Sequence, residues 1–375
     1  MKSATPKVLH EAGGRTLVGH VLAAVASLEP DHVVVVVGHG RDQVVAHLAQ
    51  VAPDAVTVVQ EQQNGTGHAM RVALDGLDSA GIELDPDGPV LVVAGDTPLL
   101  TGATLGSLLD VHAAETASST VLTAVLDDPT GYGRVIRKTA KGSEVRAIVE
   151  EKATTASQKK IREINSGFYA FSVPALYQNI GGLKTDNAHH EYYLTDMAAV
   201  LGRARKKVVV MKSQHPAEVL GSNKRSEIVD LDARMRLAKC HALMDEGVTI
   251  FYPQTCVIDS DVEVGTDTVI EPFVQLRGTT KVGSDCRIRS YSVINNTEIG
   301  DGVIVLPGCV MDDSRIANKA TVGPYSRLRP GSDIGEGAHL GNFVETKKMK
   351  MGKGSKANHL TYLGDTEVGE RVNVG

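Results

Sequence analysis

Two rhythms of apolar residues divide this sequence. As far as about residue 247, short apolar runs alternate with stretches of helical spacing; from Tyr252 onward one aliphatic residue returns every six positions. In the first part, positions 17–28 carry helical periodicity and 33–37 form an apolar run of strand length. A turn at Gly38-His39-Gly40 leads to a helix over 42–50 and a strand over 56–59. A further helix starts at Gly65-Thr66-Gly67 and reaches Leu77. The strand from Pro89 ends in Gly95-Asp96, and a helix over 103–112 and a strand over 120–126 follow. Strands alternating with helices in this way predict a Rossmann-like, doubly wound α/β domain with a parallel sheet.

Beyond residue 127 the first part becomes turn-rich. Strands are expected at 145–149 and from Glu163, a helix opening at 191–196, and a long helix after Lys224-Arg225 reaching about Asp245. The second part is a repeat. Ile258, Val264, Ile270, Leu276, Val282, Ile288 and Ile294 are six apart; one five-residue step gives Ile299, and Ile304, Val310, Ile316, Val322, Leu328, Ile334 and Leu340 resume the count. A period of six fits neither a helix nor an alternating strand and predicts a parallel β-helix of hexapeptide repeats. Tyr325–Gly331 and Asn342–Lys348 are read as breaks in that register that concentrate polar groups. The domains are therefore set at 1–222, a linker helix at 223–247, and 248–375.

Composition narrows the function. Hydrophobic residues make up 42% and charged residues 22%, while aromatics are 4% and Trp is absent, so the cores must be aliphatic. A net charge of −6 argues against a nucleic-acid surface. No apolar run approaches membrane-spanning length and no signal peptide is legible. The four cysteines are widely spaced with no C-x-x-C pair, which suits a reduced setting, and a cytoplasmic protein is expected.

Chemistry concentrates at a few places. Asp96 stands at the carboxyl end of an apolar strand, where open α/β sheets bind ligands. Gly95 permits close approach of a ligand, and a carboxylate suits Mg²⁺ held between protein and phosphates. Taken alone, such an Asp more often caps the next helix. Gly65 and Gly67 flank Thr66 at a helix start, where backbone N–H groups can meet an anion or a base edge. In the repeat, Arg329, Lys347, His359 and Tyr362 gather polar groups in coils otherwise poor in them, and His suits a general base near neutral pH.

The first part resembles the sugar-1-phosphate nucleotidyltransferases, and the whole chain the bifunctional N-acetylglucosamine-1-phosphate uridyltransferases/glucosamine-1-phosphate acetyltransferases. The resemblance is carried by Thr5-Pro6-Lys7-Val8-Leu9-His10, Gly65-Thr66-Gly67-His68-Ala69, Gly95-Asp96-Thr97-Pro98-Leu99, Asp127-Asp128-Pro129-Thr130-Gly131-Tyr132-Gly133-Arg134 and Asn187-Ala188-His189-His190-Glu191-Tyr192-Tyr193-Leu194-Thr195-Asp196. It implies that Asp96 and Asn223 hold Mg²⁺, that Lys7 meets the nucleotide phosphates catalytically, and that Gln60, Gly65 and Thr66 read uracil. Gly95 would line the same site, and Gly133, Glu150, Asn165 and Thr195 would contact N-acetylglucosamine. In the repeat it implies His359 as the base, with Arg329, Lys347, Tyr362 and Asn373 around the sugar phosphate. The implied substrates are UTP, N-acetylglucosamine-1-phosphate, glucosamine-1-phosphate and acetyl-CoA, and the implied assembly is a homotrimer of left-handed β-helices.

Asn64 and Ser222 stand where the family usually has aliphatic residues. Against the family pattern, the sequence also opens at the Met of a Gly-rich nucleotide loop and stops before further acetyl-CoA-binding coils. The expectation is a chain cut at both ends and weak or inactive in both reactions. Two other readings stay open: a nucleotidyltransferase for another sugar with a purely structural β-helix, and a non-catalytic assembly subunit of the same plan.

Overall fold

The computed structural model describes residues 3–187, 189–221 and 224–375. Asn223 and the expected 222/223 boundary lie outside the described residues. The chain forms two compact units, one of Met1–His10 and Thr16–Arg225, the other of Glu11–Arg15 and Ser226–Gly375.

A two-stranded ladder, β1 (Glu11–Ala12) and β2 (Arg15–Thr16), comes first. It is followed by α1 (Leu17–Ala26), β3 (Val34–Val37), α2 (Arg41–Val51), β4 (Val56–Val59) and α3 (Thr66–Ser79). Next come β5 (Pro89–Val92), α4 (Gly102–Ala114), β6 (Ser119–Val125), β7 (Arg134–Arg137), β8 (Val145–Val149) and β9 (Glu163–Ser172). The unit closes with α5 (Val173–Asn179), α6 (Met197–Arg203) and β10 (Val208–Lys212). Local chemistry sets the helix starts: the Thr16 hydroxyl accepts from Gly19 N at 3.1 Å, and that of Thr101 from Thr104 N at 3.2 Å.

The strand–helix alternation of the first part is present, but the sheet is not purely parallel. β6 pairs β10 in parallel, whereas β9 runs antiparallel to both β5 and β6. β9 follows turn-rich sequence rather than a crossover helix, so the handedness rule for parallel crossovers does not govern it. β3 and β4 form a separate parallel pair. The sheet is packed by Leu105, Leu122, Ile164, Phe168 and Phe171, all fully buried. The helix expected to open at 191–196 starts later, at Met197, after a 3₁₀ turn over Leu194–Asp196.

In the second unit, α7 (Arg225–Asp245) contributes its residues from Ser226 on. The Glu11–Arg15 turn is fastened there. Gly13 N donates to Asp232 Oδ1 at 2.7 Å, Ser260 N donates to Gly13 O at 2.9 Å, and Arg15 pairs with Asp261. Arg236 joins Asp232 to Asp259. Gly14 is obligatory here, because its φ is +81° and a Cβ would overlap the Asp259 carboxyl.

The remainder is a left-handed parallel β-helix of three stacked sheets, with eight, seven and seven very short strands. One inward column runs Ile270, Ile288, Val305, Val322, Leu340 and Ala357. The inward residues after Ile299 are therefore Val305 and Met311, both fully buried, and not the expected Ile304 and Val310. The count of six continues past Ile299, and a second five-residue step comes between Met311 and Ile316. Tyr325–Gly331 and Asn342–Lys348 do not break the register either. Leu328 stacks on Thr346 and Thr346 on Leu363. The inward Thr346 hydroxyl is satisfied by Ser332 Oγ at 2.8 Å.

On one outer face, residues of successive coils alternate in sign: Glu263, Lys281, Glu298, Arg315, Asp333, Lys350 and Glu367. Each interior charge thus lies between two of opposite sign, and Lys281–Glu263 closes to 3.0 Å. At one corner Phe273 stacks on Tyr291 with ring centroids 5.1 Å apart, and Tyr325 on Phe343 at 5.7 Å. These four rings and Leu360 are exposed.

Candidate active sites

In the first unit the expected residues fall into three groups. Lys7 and Asp96 form an ion pair at the carboxyl end of β5, with both side chains partly exposed. A Cβ on Gly95 would make ordinary van der Waals contact with methyls of Val18 and Val8 at 3.7 and 3.8 Å. Gly221, two residues before Asn223, lies against the same carboxylate, since a Cβ on it would stand 3.3 Å from Asp96 Oδ2.

The second group joins the end of β4 to the start of α3. Gln60 Nε2 donates to Gly65 O at 3.1 Å and lies 3.0 Å from His68 Nδ1. The two glycines do not both offer free N–H groups, because Gly67 N donates to Tyr192 O at 2.7 Å. They are needed for close packing: a Cβ on Gly65 would stand 2.6 Å from Tyr192 O, and one on Gly67 2.9 Å from it. The Thr66 hydroxyl accepts from Leu194 N at 3.0 Å, which places Thr195 beside this segment.

The third group consists of two hydrogen-bonded pairs. Asn165 N donates to Gly133 O at 2.9 Å, and Thr195 Oγ1 donates to Glu150 Oε1 at 2.9 Å. Asn165 Oδ1 is buried and accepts from no described residue. Burial pushes the Glu150 carboxyl above its usual range; the Thr195 bond opposes this and nearby Asp196 adds to it. Burial likewise pushes up the hydroxyl of Tyr169, which lies against the Asn165 amide.

In the second unit Arg329, Lys347, His359, Tyr362 and Asn373 occupy successive coils. Arg329 Nη1 donates to Glu345 Oε1 at 3.1 Å, Glu345 stacks on Tyr362, and Lys347 on Gly364. Asn342 stacks on His359, and Lys356 on Asn373. Asn358 Nδ2 donates to Asn373 Oδ1 at 3.4 Å. His359, Tyr362 and Asn373 are exposed, while Lys347 is half-buried.

The description "MobA-like NTP transferase domain" matches residues 1–163. The chain is 53% identical over 377 aligned residues to the bifunctional protein GlmU of Koribacter versatilis, covering all of this chain and 78% of that protein. The chain belongs to the GlmU family. Its similarity to GlmU of Streptomyces coelicolor is 44% over 375 residues and 76% of that protein. To GlmU of Brevibacillus brevis it is 42% over 375 residues and 79% of that protein.

Three residues beside the GlmU-type positions were given no role from the sequence. His68 meets Gln60 only because a strand end and a helix start converge. Arg71 reaches the carbonyls of Ile180 and Leu183 at 3.0 and 3.1 Å and covers the Tyr192 ring at 4.3 Å. Arg134 is fully buried and pairs with Glu151 at 2.7 Å. An Arg opening an apolar strand directly after Gly133 was the available signal.

The Glu150 environment has a measurable consequence. In acid both folded and unfolded chains hold the Glu150 proton, so burial carries no electrostatic cost there. As pH rises through the ordinary Glu range the unfolded chain ionises first, and the folded state loses stability until its own raised pKa is passed. Glu150→Gln should therefore raise the thermal midpoint at neutral pH relative to the parent and leave it unchanged in acid. Calorimetric scans from pH 4 to 8 with the same offset throughout would refute this.

Proposed function

We infer that this protein is the bifunctional enzyme of UDP-N-acetylglucosamine synthesis. The β-helix half acetylates glucosamine-1-phosphate from acetyl-CoA, and the α/β half transfers UMP from UTP to N-acetylglucosamine-1-phosphate, releasing pyrophosphate. The supporting observation is that one chain carries the Lys7–Asp96 pair at a strand's carboxyl end and, separately, Arg329, Lys347, His359, Tyr362 and Asn373 on neighbouring coils. A β-helix serving only as scaffold has no use for the second set.

In the α/β half, Gln60, Gly65 and Thr66 take the uracil, and Gly133, Glu150, Asn165 and Thr195 take the sugar. The buried Asn165 Oδ1, which accepts from no described residue, suits a donor on the ligand, and the Glu150 carboxyl can accept from a sugar hydroxyl. Lys7 is placed to offset charge on the nucleotide phosphates while the sugar phosphate attacks the α-phosphorus. A single carboxylate suits Mg²⁺, which takes one or two protein oxygens and keeps phosphates and waters as its other ligands. Among the described residues no three His, Cys, Asp or Glu side chains gather as a metal cluster. Asp96 and Asn223 would hold the ion, and when bound it neutralises phosphate charge.

In the β-helix half, Arg329 and Lys347 hold the sugar phosphate with Tyr362 and Asn373, and His359 removes the amine proton as the thioester is attacked. The exposed Phe273, Tyr291, Tyr325, Phe343 and Leu360 line one corner up to His359, a surface suited to neighbouring copies in a homotrimer. Sedimentation equilibrium should give about three times the 39.7 kDa chain mass, and a stable monomer at micromolar concentration would remove the trimer. No described helix is long and apolar enough to cross a membrane, and we place the enzyme in the cytoplasm. The function is tested by assaying UTP with N-acetylglucosamine-1-phosphate, and acetyl-CoA with glucosamine-1-phosphate, in separate tubes. Faster turnover of another nucleoside triphosphate or another sugar phosphate than of these pairs would overturn it.

A further inference from the structure

We propose that His68 is a specificity-determining residue of the nucleotide site: it holds the Gln60 side chain in the orientation that presents its carbonyl oxygen to the pyrimidine. The proposal rests on the reading of Gln60 as the base-facing residue.

The argument starts from which groups can only accept. The Gln60 amide nitrogen lies 3.1 Å from Gly65 O, and a backbone carbonyl is an acceptor only, so the NH₂ end of the amide must face it. The same nitrogen lies 3.0 Å from His68 Nδ1. With one N–H on Gly65 O and the other pointed at the ring, Nδ1 must accept, so the ring proton sits on Nε2. Both N–H groups of Gln60 are then engaged, and its Oε1 takes no bond from any described residue. Gly65 O is fixed in turn, because it also accepts Ala69 N in the first turn of α3 at 3.1 Å. The backbone of Gln60 is held from the other side by its N–H on Val37 O at 2.8 Å.

A carbonyl oxygen offered to a pyrimidine edge discriminates in one direction. Uracil presents the N3–H donor there, and the oxygen can accept it. Cytosine presents an N3 lone pair, so two acceptors would face each other. A flipped Gln60 amide would reverse this preference. Gly65 O alone leaves one N–H of the amide free to swing. His68 supplies a second acceptor that holds the other N–H, so the amide is anchored at two points, and the place of His68 in the first turn of α3 makes it rigid.

The test is the ratio of the dissociation constants for CTP and UTP, measured by titration calorimetry with Mg²⁺ in the parent, His68→Leu, His68→Asn and Gln60→Ala proteins. A residue that only supports folding changes both constants together and leaves their ratio alone. His68→Leu removes the acceptor and should lower the preference for UTP by about tenfold or more, a modest share of what a site built to hydrogen-bond its substrate can reach. His68→Asn, whose side-chain oxygen can accept in place of Nδ1, should stay within about threefold of the parent. An unchanged ratio in His68→Leu, with a collapsed ratio in Gln60→Ala, would overturn the role of His68 and leave Gln60 as the base reader. A parental ratio in Gln60→Ala as well would overturn the base-reading assignment and the proposal with it.

Discussion

Asp96→Ala should reduce UDP-N-acetylglucosamine formation by about 10³-fold or more while leaving acetyl transfer near the parental rate. The expected size follows from what one placed charge does where phosphates react. Preorganised electrostatic groups supply the largest share of such rate enhancements, and a metal held by carboxylate and phosphates is the strongest of them. The alanine variant loses the carboxylate and also frees Lys7 from its ion partner. Lys7 can still attract the nucleotide, so UTP binding should weaken far less than turnover. Asp96→Asn keeps the shape and an oxygen ligand and should fall between the two. The decisive measurement is the uridyl-transfer rate across a Mg²⁺ titration. Parental turnover by the alanine variant at any point of that titration would remove Asp96 from the site.

The second large effect is expected at the other end of the chain. His359→Ala should slow acetyl transfer by about 10²–10⁴-fold, the usual range for a positioned general base, and spare uridyl transfer. His359 is exposed and stacks over Asn342, so its removal leaves no buried cavity and the coil should persist. The deficit should be steepest near neutral pH and shrink at higher pH, where the substrate amine loses its proton without help. Circular dichroism of the variant should match the parent. An acetyl-transfer rate unchanged at pH 7 would make His359 an ordinary surface residue.

The repeat was legible from the sequence because stacking imposes a period that no other architecture shares. It was misread at Ile304 and Val310, and at the two polar segments, 325–331 and 342–348, that keep the register after all. Two neighbouring aliphatic residues, Ile304-Val305 and Val310-Met311, offer either phase, and only stacking on Ile288 and Ile294 decides between them. The antiparallel placement of β9 was hidden for a different reason. Periodicity reports which face of a strand is buried and is silent about its direction. Among the candidate site residues, Glu150, Asn165, Gly133 and Thr195 were named through resemblance, and they meet as the pairs Asn165–Gly133 and Thr195–Glu150. His68 and Arg134 stood inside the quoted motifs without a role, and Arg71 outside them, because each acts through a partner that packing brings to it. Of the two glycines at the start of α3, Gly67 was misread: its N–H is taken by Tyr192 O, and the same backbone requires it to lack a side chain.

The alternating charges along the outer face of the β-helix also bear on how the chain avoids misassembly. Every coil of such a solenoid offers nearly the same apolar interior, so the interior alone hardly distinguishes the correct neighbour from the one after it. Sign alternation does. A coil that skipped its neighbour would set Glu263 against Glu298, or Lys281 against Arg315, and carry like charges on adjacent strands, which is unfavourable. The face thus acts as a parity check on coil order, rejecting single skips during folding while tolerating a skip of two. Because it works through solvent-exposed charges, this check should weaken in concentrated salt, so refolding from denaturant in molar NaCl would yield more misassembled and aggregated chain than refolding at low ionic strength.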